Sequence, residues 1–179
     1  MNVSNRKVHK FIGLVVSVQL LLWTISGIFF SFNKIDQIRG ENYLKSVEQI
    51  TPQKISRISF EEAKELVIEK TYLKPISVEE ITEEKRGSEF RGRNLPLYKL
   101  SSLDSSDKEV NVYIDPSLGK IVAIRTFEWR LWDLMWGLHI MDWRDRDDIN
   151  NLFLKIFSIL ALISSITGII LFFRPKSKA

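Results

Sequence analysis

Two stretches without a single charged side chain constrain this 179-residue chain more than anything else in it. Phe11 to Phe32 is an uncharged, mainly apolar run of 22 residues, Ile156 to Phe173 is a second of 18, and all 22 acidic residues lie between them. As helices, both are long enough to cross roughly 30 Å of hydrocarbon. Burying them as core helices of a soluble protein would need a shell that the other ~120 residues hardly supply while keeping a core of their own. A cleaved signal peptide would end in small residues, whereas Phe29, Phe30 and Phe32 crowd the end of the first run. That helix is expected to stay as an anchor.

Cations beside a span resist translocation. Arg6, Lys7 and Lys10 precede the first run and Arg174, Lys176 and Lys178 follow the second, so both termini are expected in the cytoplasm. Residues 33–151 hold 19 Lys and Arg against 22 Asp and Glu, a net of −3, so the pI of about 9.3 comes from the two tails. No basic footprint for nucleic acid is present. The lack of cysteine excludes disulfides, thiolate metal sites and iron–sulfur clusters. The expected organisation is a cytoplasmic N-terminus (1–10), a transmembrane helix (11–32), an extracytoplasmic domain (33–126), a tryptophan-rich interfacial helix with a charged collar (127–151), a second transmembrane helix (152–173) and a cytoplasmic C-terminus (174–179).

Within the middle segment, Asn33 to Gln53 is a polar stretch expected to form a short helix or linker. Ser59-Phe60-Glu61-Glu62 has the form of a capping box, and Phe60, Ala63, Leu66 and Val67 continue it as a helical stripe running toward Pro75. The period then changes to two. Ile76 to Ile81, Leu95 to Leu100, Val110 to Ile114 and Ile121 to Ile124 read as strands, the last two joined by the turn residues Asp115-Pro116-Ser117-Leu118-Gly119-Lys120. One helix on a small antiparallel sheet, an α+β domain, is the predicted fold. The charged tract Glu79 to Arg93 is expected to be a solvated tip or loop.

Trp129, Trp132, Trp136 and Trp143, four of the five tryptophans, fall with His139 in one narrow helical arc, with Leu131, Leu134, Leu138 and Met141 opposite. Polar only at Arg130, Asp133 and Asp142, such a helix is expected on the membrane surface.

The two histidines, His9 and His139, stand at opposite membrane boundaries. Imidazole is the usual axial ligand of a b-type haem, and aromatic walls such as Trp132 and Trp136 suit a porphyrin face. A full span keeps the two about 30 Å apart, too far to share one iron. Position alone equally suits an interfacial histidine among cations and an aromatic belt without cofactor. Other signals are weaker. Thr24-Ile25-Ser26-Gly27-Ile28 and Ser165-Ile166-Thr167-Gly168-Ile169 repeat one phrase on both runs, where small residues let spans approach closely. Arg125, Glu128 and Arg130 suit an anionic ligand or plain headgroup contact. Glu61 with Glu62 and Glu79 with Glu80 read as cap and surface residues, and no nucleophile, P-loop or zinc spacing is present.

The opening Arg6-Lys7-Val8-His9-Lys10-Phe11-Ile12-Gly13-Leu14, running into a span that ends Ser26-Gly27, resembles the first helix of the PepSY-associated transmembrane proteins. Ser59-Phe60-Glu61-Glu62-Ala63 and the hairpin from Val112 to Val122 are similar to PepSY itself, and Leu138-His139-Ile140-Met141-Asp142, followed by a span with Thr167-Gly168, resembles the end of two-span members. The resemblance follows the family's order over most of the chain. It implies a bacterial inner-membrane protein, since larger four-span members are iron-regulated, some of them haem-containing reductases of ferric siderophores with haems on boundary histidines. By that resemblance His9 and His139 hold ligand positions for haem b iron. This chain has half the spans, and Met135 stands where an Asp-Leu-His-x-Gly pattern would place a further histidine. A homodimer about an axis along the membrane normal would complete two six-coordinate sites.

Three functions follow as rival expectations. One is a haem-binding electron-transfer component linked to ferric-siderophore reduction or iron uptake. Another is a non-catalytic membrane-anchored PepSY module that binds a peptide, protease or transporter partner. The third is an accessory subunit, as for two-span members that accompany outer-membrane receptors. None of them nominates a catalytic side chain here.

Overall fold

The computed structural model describes residues 5–45 and 57–173. The tail cations Arg174, Lys176 and Lys178, and the later part of the stretch Asn33 to Gln53, lie outside them. In chain order the elements are α1 (Asn5–Phe32), α2 (Ile35–Ile38), a 3-10 turn (Glu41–Tyr43), α3 (Phe60–Lys70), β1 (Lys74–Ile81), β2 (Leu97–Leu103), β3 (Glu109–Asp115), β4 (Lys120–Arg125), α4 (Phe127–His139) and α5 (Leu152–Phe173). They form two compact units, Phe30–Leu134 and Met1–Phe29 with Met135–Ala179. The boundary falls inside α4, so its first turns belong with the sheet rather than with the collar.

The sheet unit is built from alternation. All four strands are antiparallel in the order β1-β2-β3-β4. Tyr98, Leu100, Val110, Val112, Ile114 and Ile124 turn one face to Ala63 and Val67 of α3, and this is the main core. The capping box is complete: the Ser59 hydroxyl accepts from the Glu62 N–H at 3.2 Å, and the Glu62 carboxylate accepts from the Ser59 N–H at 2.7 Å. The helix stops at Lys70, earlier than the run toward Pro75 suggested, because Thr71 turns extended and its hydroxyl bonds back to the Val67 carbonyl. Pro75 instead sits in β1, an edge strand where a missing N–H is tolerated, next to a bulge before Ser77. In the β3–β4 turn, Asp115 accepts from the Ser117 and Leu118 amides, and Gly119 takes φ 56°.

The other face of the sheet corrects the reading of Glu79 to Arg93 as solvated. Residues 79–81 are strand and 82–86 are exposed as expected, but Phe90 packs against Leu97, Tyr113 and Ala123, 5.8 Å from the Tyr113 ring. One helix covers one face only; the charged loop carries the apolar residue that covers the other. Its Glu89 carboxylate accepts from Asn111 (2.8 Å), Tyr113 (3.0 Å) and Arg130 (2.5 Å), and Arg91 pairs with the buried Asp133. Burial alone would raise the Glu89 pKa, but these donors, Arg130 first, hold it below the usual carboxylate value.

The other unit is helical. On α1 the sheltered positions include Gly13, Val16, Gln19, Trp23 and Ser26, one face at helical spacing, while Phe11, Leu14, Val18, Leu21, Ile25 and Ile28 are exposed. On α5 the half-buried stripe is Leu154, Phe157, Ala161, Ser164, Thr167 and Leu171, and no residue is fully buried. Exposed apolar surface of this extent is what lipid would cover. Both helices pass as spans, His9–Phe32 and Leu152–Phe173.

Candidate functional site

Two short contacts fix the orientation of α1 against α5. His9 meets Thr167, and a Cβ on Gly13 would stand 3.7 Å from the Ser164 hydroxyl. Partners whose numbers fall on one helix as they rise on the other run antiparallel. Extended, this register brings the start of α5 level with Ser26, where the end of α4 arrives. Asn151 donates to the Ile140 carbonyl at 2.9 Å, and Gln19 reaches the Leu138 carbonyl at 3.4 Å.

The end of α4 has a defined stop. Asp142 N–H bonds the Gly137 carbonyl at 3.0 Å and Met141 N–H the Leu138 carbonyl at 3.4 Å, with Met141 left-handed at φ 57°. This is a Schellman closure with methionine where glycine is usual. Trp143 therefore leaves the helical stripe predicted for it and meets Phe153 instead, at 6.2 Å. Asp142 gathers the collar, its two oxygens accepting from the amides of Arg144, Asp145, Asp147 and Asp148. Asp133, one of the three polar residues of this segment, is buried against Arg91.

His139, the last residue of α4, lies among α1 side chains. Its Nδ1 is 2.7 Å from the Ser26 hydroxyl, and the Trp23 indole N–H donates to its carbonyl at 2.7 Å. Trp136 stacks on it at 6.3 Å and 11°. Burial lowers its pKa below the ordinary histidine value, which favours neutral imidazole. His9 repeats the arrangement at the other end. Its Nδ1 is 2.7 Å from the Thr167 hydroxyl, and its ring fits against Gly168, where a Cβ would stand 3.3 Å from Cε1.

Each hydroxyl has one proton, and its partners decide where that proton points. Ser26 lies 2.8 Å from the Leu22 carbonyl and Thr167 lies 2.8 Å from the Ile163 carbonyl. A carbonyl only accepts, so a hydroxyl that donates to its helix carbonyl is open to accept from the imidazole. In that arrangement Nδ1 is the nitrogen that carries hydrogen toward the hydroxyl, and Nε2 is the acceptor. This is the tautomer a metal-ligating histidine needs, with the second nitrogen held by a hydrogen bond.

The structure does not bring the four sequence-nominated residues to one place. His139 and Trp136 are together, and His9 is seventeen residues from Ser26 along α1, a rise of about 25 Å. That is shorter than a full span because α4 ends beside Ser26 rather than past Phe32. Trp132 belongs to the sheet unit, where its ring is 5.5 Å from Phe30. Ser26 and Thr167 were read only as small packing residues. Their repeated phrase was the available signal, but a sequence does not reveal which residue a hydroxyl will meet. Among the described residues no group of three or more His, Asp or Glu side chains could hold a bare metal ion.

No curated protein and no solved structure shows significant similarity to the chain. A family profile does, that of the PepSY-associated TM region, and it matches residues 6–179. With both apolar helices and the four-stranded sheet inside that match, the chain belongs to the PepSY-associated transmembrane family and is a membrane protein.

Proposed function

We propose that this membrane-anchored PepSY protein is a haem-binding component that carries electrons across the bacterial inner membrane toward ferric complexes such as siderophores. Both termini would be cytoplasmic and the sheet unit outside. The observation that carries this reading is the matched pair of imidazoles, each with Nδ1 2.7 Å from a helix hydroxyl. His9 and His139 would each hold a haem b, which when bound supplies reversible one-electron transfer at its iron.

The donor set fits that group. Thr167 and Ser26 each hold a ring at Nδ1, Trp23 pins the backbone at His139, and Trp136 offers an aromatic wall. One chain gives one imidazole at each level, so two-ligand sites call for a homodimer. The test is a reduced-minus-oxidised absorption spectrum of the purified full chain after haem reconstitution. A Soret band that falls by about half in each of His9→Ala and His139→Ala is expected. No band, or one unchanged in both variants, overturns the reading and leaves a non-catalytic module that binds a peptide, protease or transporter partner.

A further inference from the structure

A cavity of about 360 Å³ in the sheet unit is lined by Arg39, Arg93 and Arg125, with Glu41 as its one carboxylate and Trp129 in its wall. The volume is at the small end of ligand sites. Gly40 brings the Arg39 segment onto β4, since at φ 74° any Cβ there would lie 2.7 Å from Ile124. None of the three arginines has an ion-pair partner among the described residues, unlike their neighbours Arg91 and Arg130, which hold Asp133 and Glu89. Arg125 is stacked 4.2 Å from the Trp129 centroid and donates only to the carbonyls of Glu89 and Ile124, which leaves three of its five N–H groups to use. Burial first, then the charge of Arg93, pushes its pKa down to about 10. Among the described residues, the lining thus carries two net positive charges without an ion-pair partner.

We infer that this cavity binds a phosphate group, whose negative charge opposes that excess and whose oxygens suit guanidinium donors. The phosphate would come from a lipid headgroup or from a small soluble phosphate compound. The site is independent of the haem reading, since it shares no residue with it.

The test uses the full chain in nanodiscs and an R39Q/R93Q double variant, whose altered side chains are exposed and hold no other residue in place. In neutral-lipid discs, inorganic phosphate is compared with chloride at equal ionic strength by the thermal midpoint. In discs containing phosphatidylglycerol, native mass spectrometry follows retained anionic lipid. Stabilisation by phosphate assigns the soluble source, and retained phosphatidylglycerol assigns the lipid. In either arm the double variant is expected to bind about tenfold more weakly, with an unchanged midpoint when no anion is present. No effect in either arm, or equal effects in the wild type and the double variant, overturns the inference.

Discussion

The side chains that join the helices of the α1–α5 unit are hydroxyl, amide and imidazole groups: Gln19, Ser26, His139, His9 and Thr167, each bonded to a carbonyl or to one another. In the sheet unit charged groups make joints too, with Asp133 on Arg91, Glu89 on Arg130, and Arg125 over Trp129. The difference follows from the solvent each unit must live in. Hydrocarbon offers nothing to an ion, so a span keeps neutral groups and satisfies them internally. A small domain in water can bury an ion if a counter-ion comes with it.

The two kinds of joint should fail by different amounts. Arg91→Ala takes the guanidinium away from buried Asp133 and is expected to cost about 3 kcal/mol, read by denaturant unfolding of the sheet unit within the full chain. A loss under 1 kcal/mol would mean that water reaches Asp133. Glu89→Gln removes charge-assisted bonds from Arg130 and should cost roughly 2 kcal/mol. It also predicts a pH effect with a definite sign. The folded pKa of Glu89 is depressed, so its contribution is complete above the ordinary carboxylate value of about 4.3 and fades as pH falls through the folded value. Stability of the wild type should therefore drop more steeply below about pH 4 than that of the Gln variant.

Ser59→Ala breaks the capping box and should cost about 1 kcal/mol, measured in the same way. Thr167→Val keeps shape, loses the hydroxyl, and should cost only about 0.6 kcal/mol in a helix-dissociation assay, the usual size of a membrane hydrogen bond. Its larger consequence should be chemical, because the His9 proton would no longer be held on Nδ1.

Much of this was legible in the chain. Apolar run length gave both spans, and the Ser59 capping box, the two-residue period and the Asp115–Lys120 turn gave helix, strands and hairpin, because each is a local rule satisfied by adjacent residues. Glu89 was not legible. Its partners are 22 to 41 positions away, and it stands in a tract whose charge reads as solvation. The histidines were legible as candidates, but their hydroxyl partners, 113 and 158 positions distant, emerge only when the helices pair. The helical stripe also ran too far at Trp143, since a left-handed Met141 carries no sequence mark comparable to glycine.

The two histidine–hydroxyl contacts are tested most directly by nuclear magnetic resonance of haem-free protein carrying ¹⁵N,¹³C-labelled histidine. Both rings should report hydrogen on Nδ1 with Nε2 bare, and the His139 signal alone should change in Ser26→Ala. Hydrogen on Nε2, or the exchanging mixture of a solvated imidazole, in the wild-type protein would contradict the geometry on which the ligand role of both histidines depends.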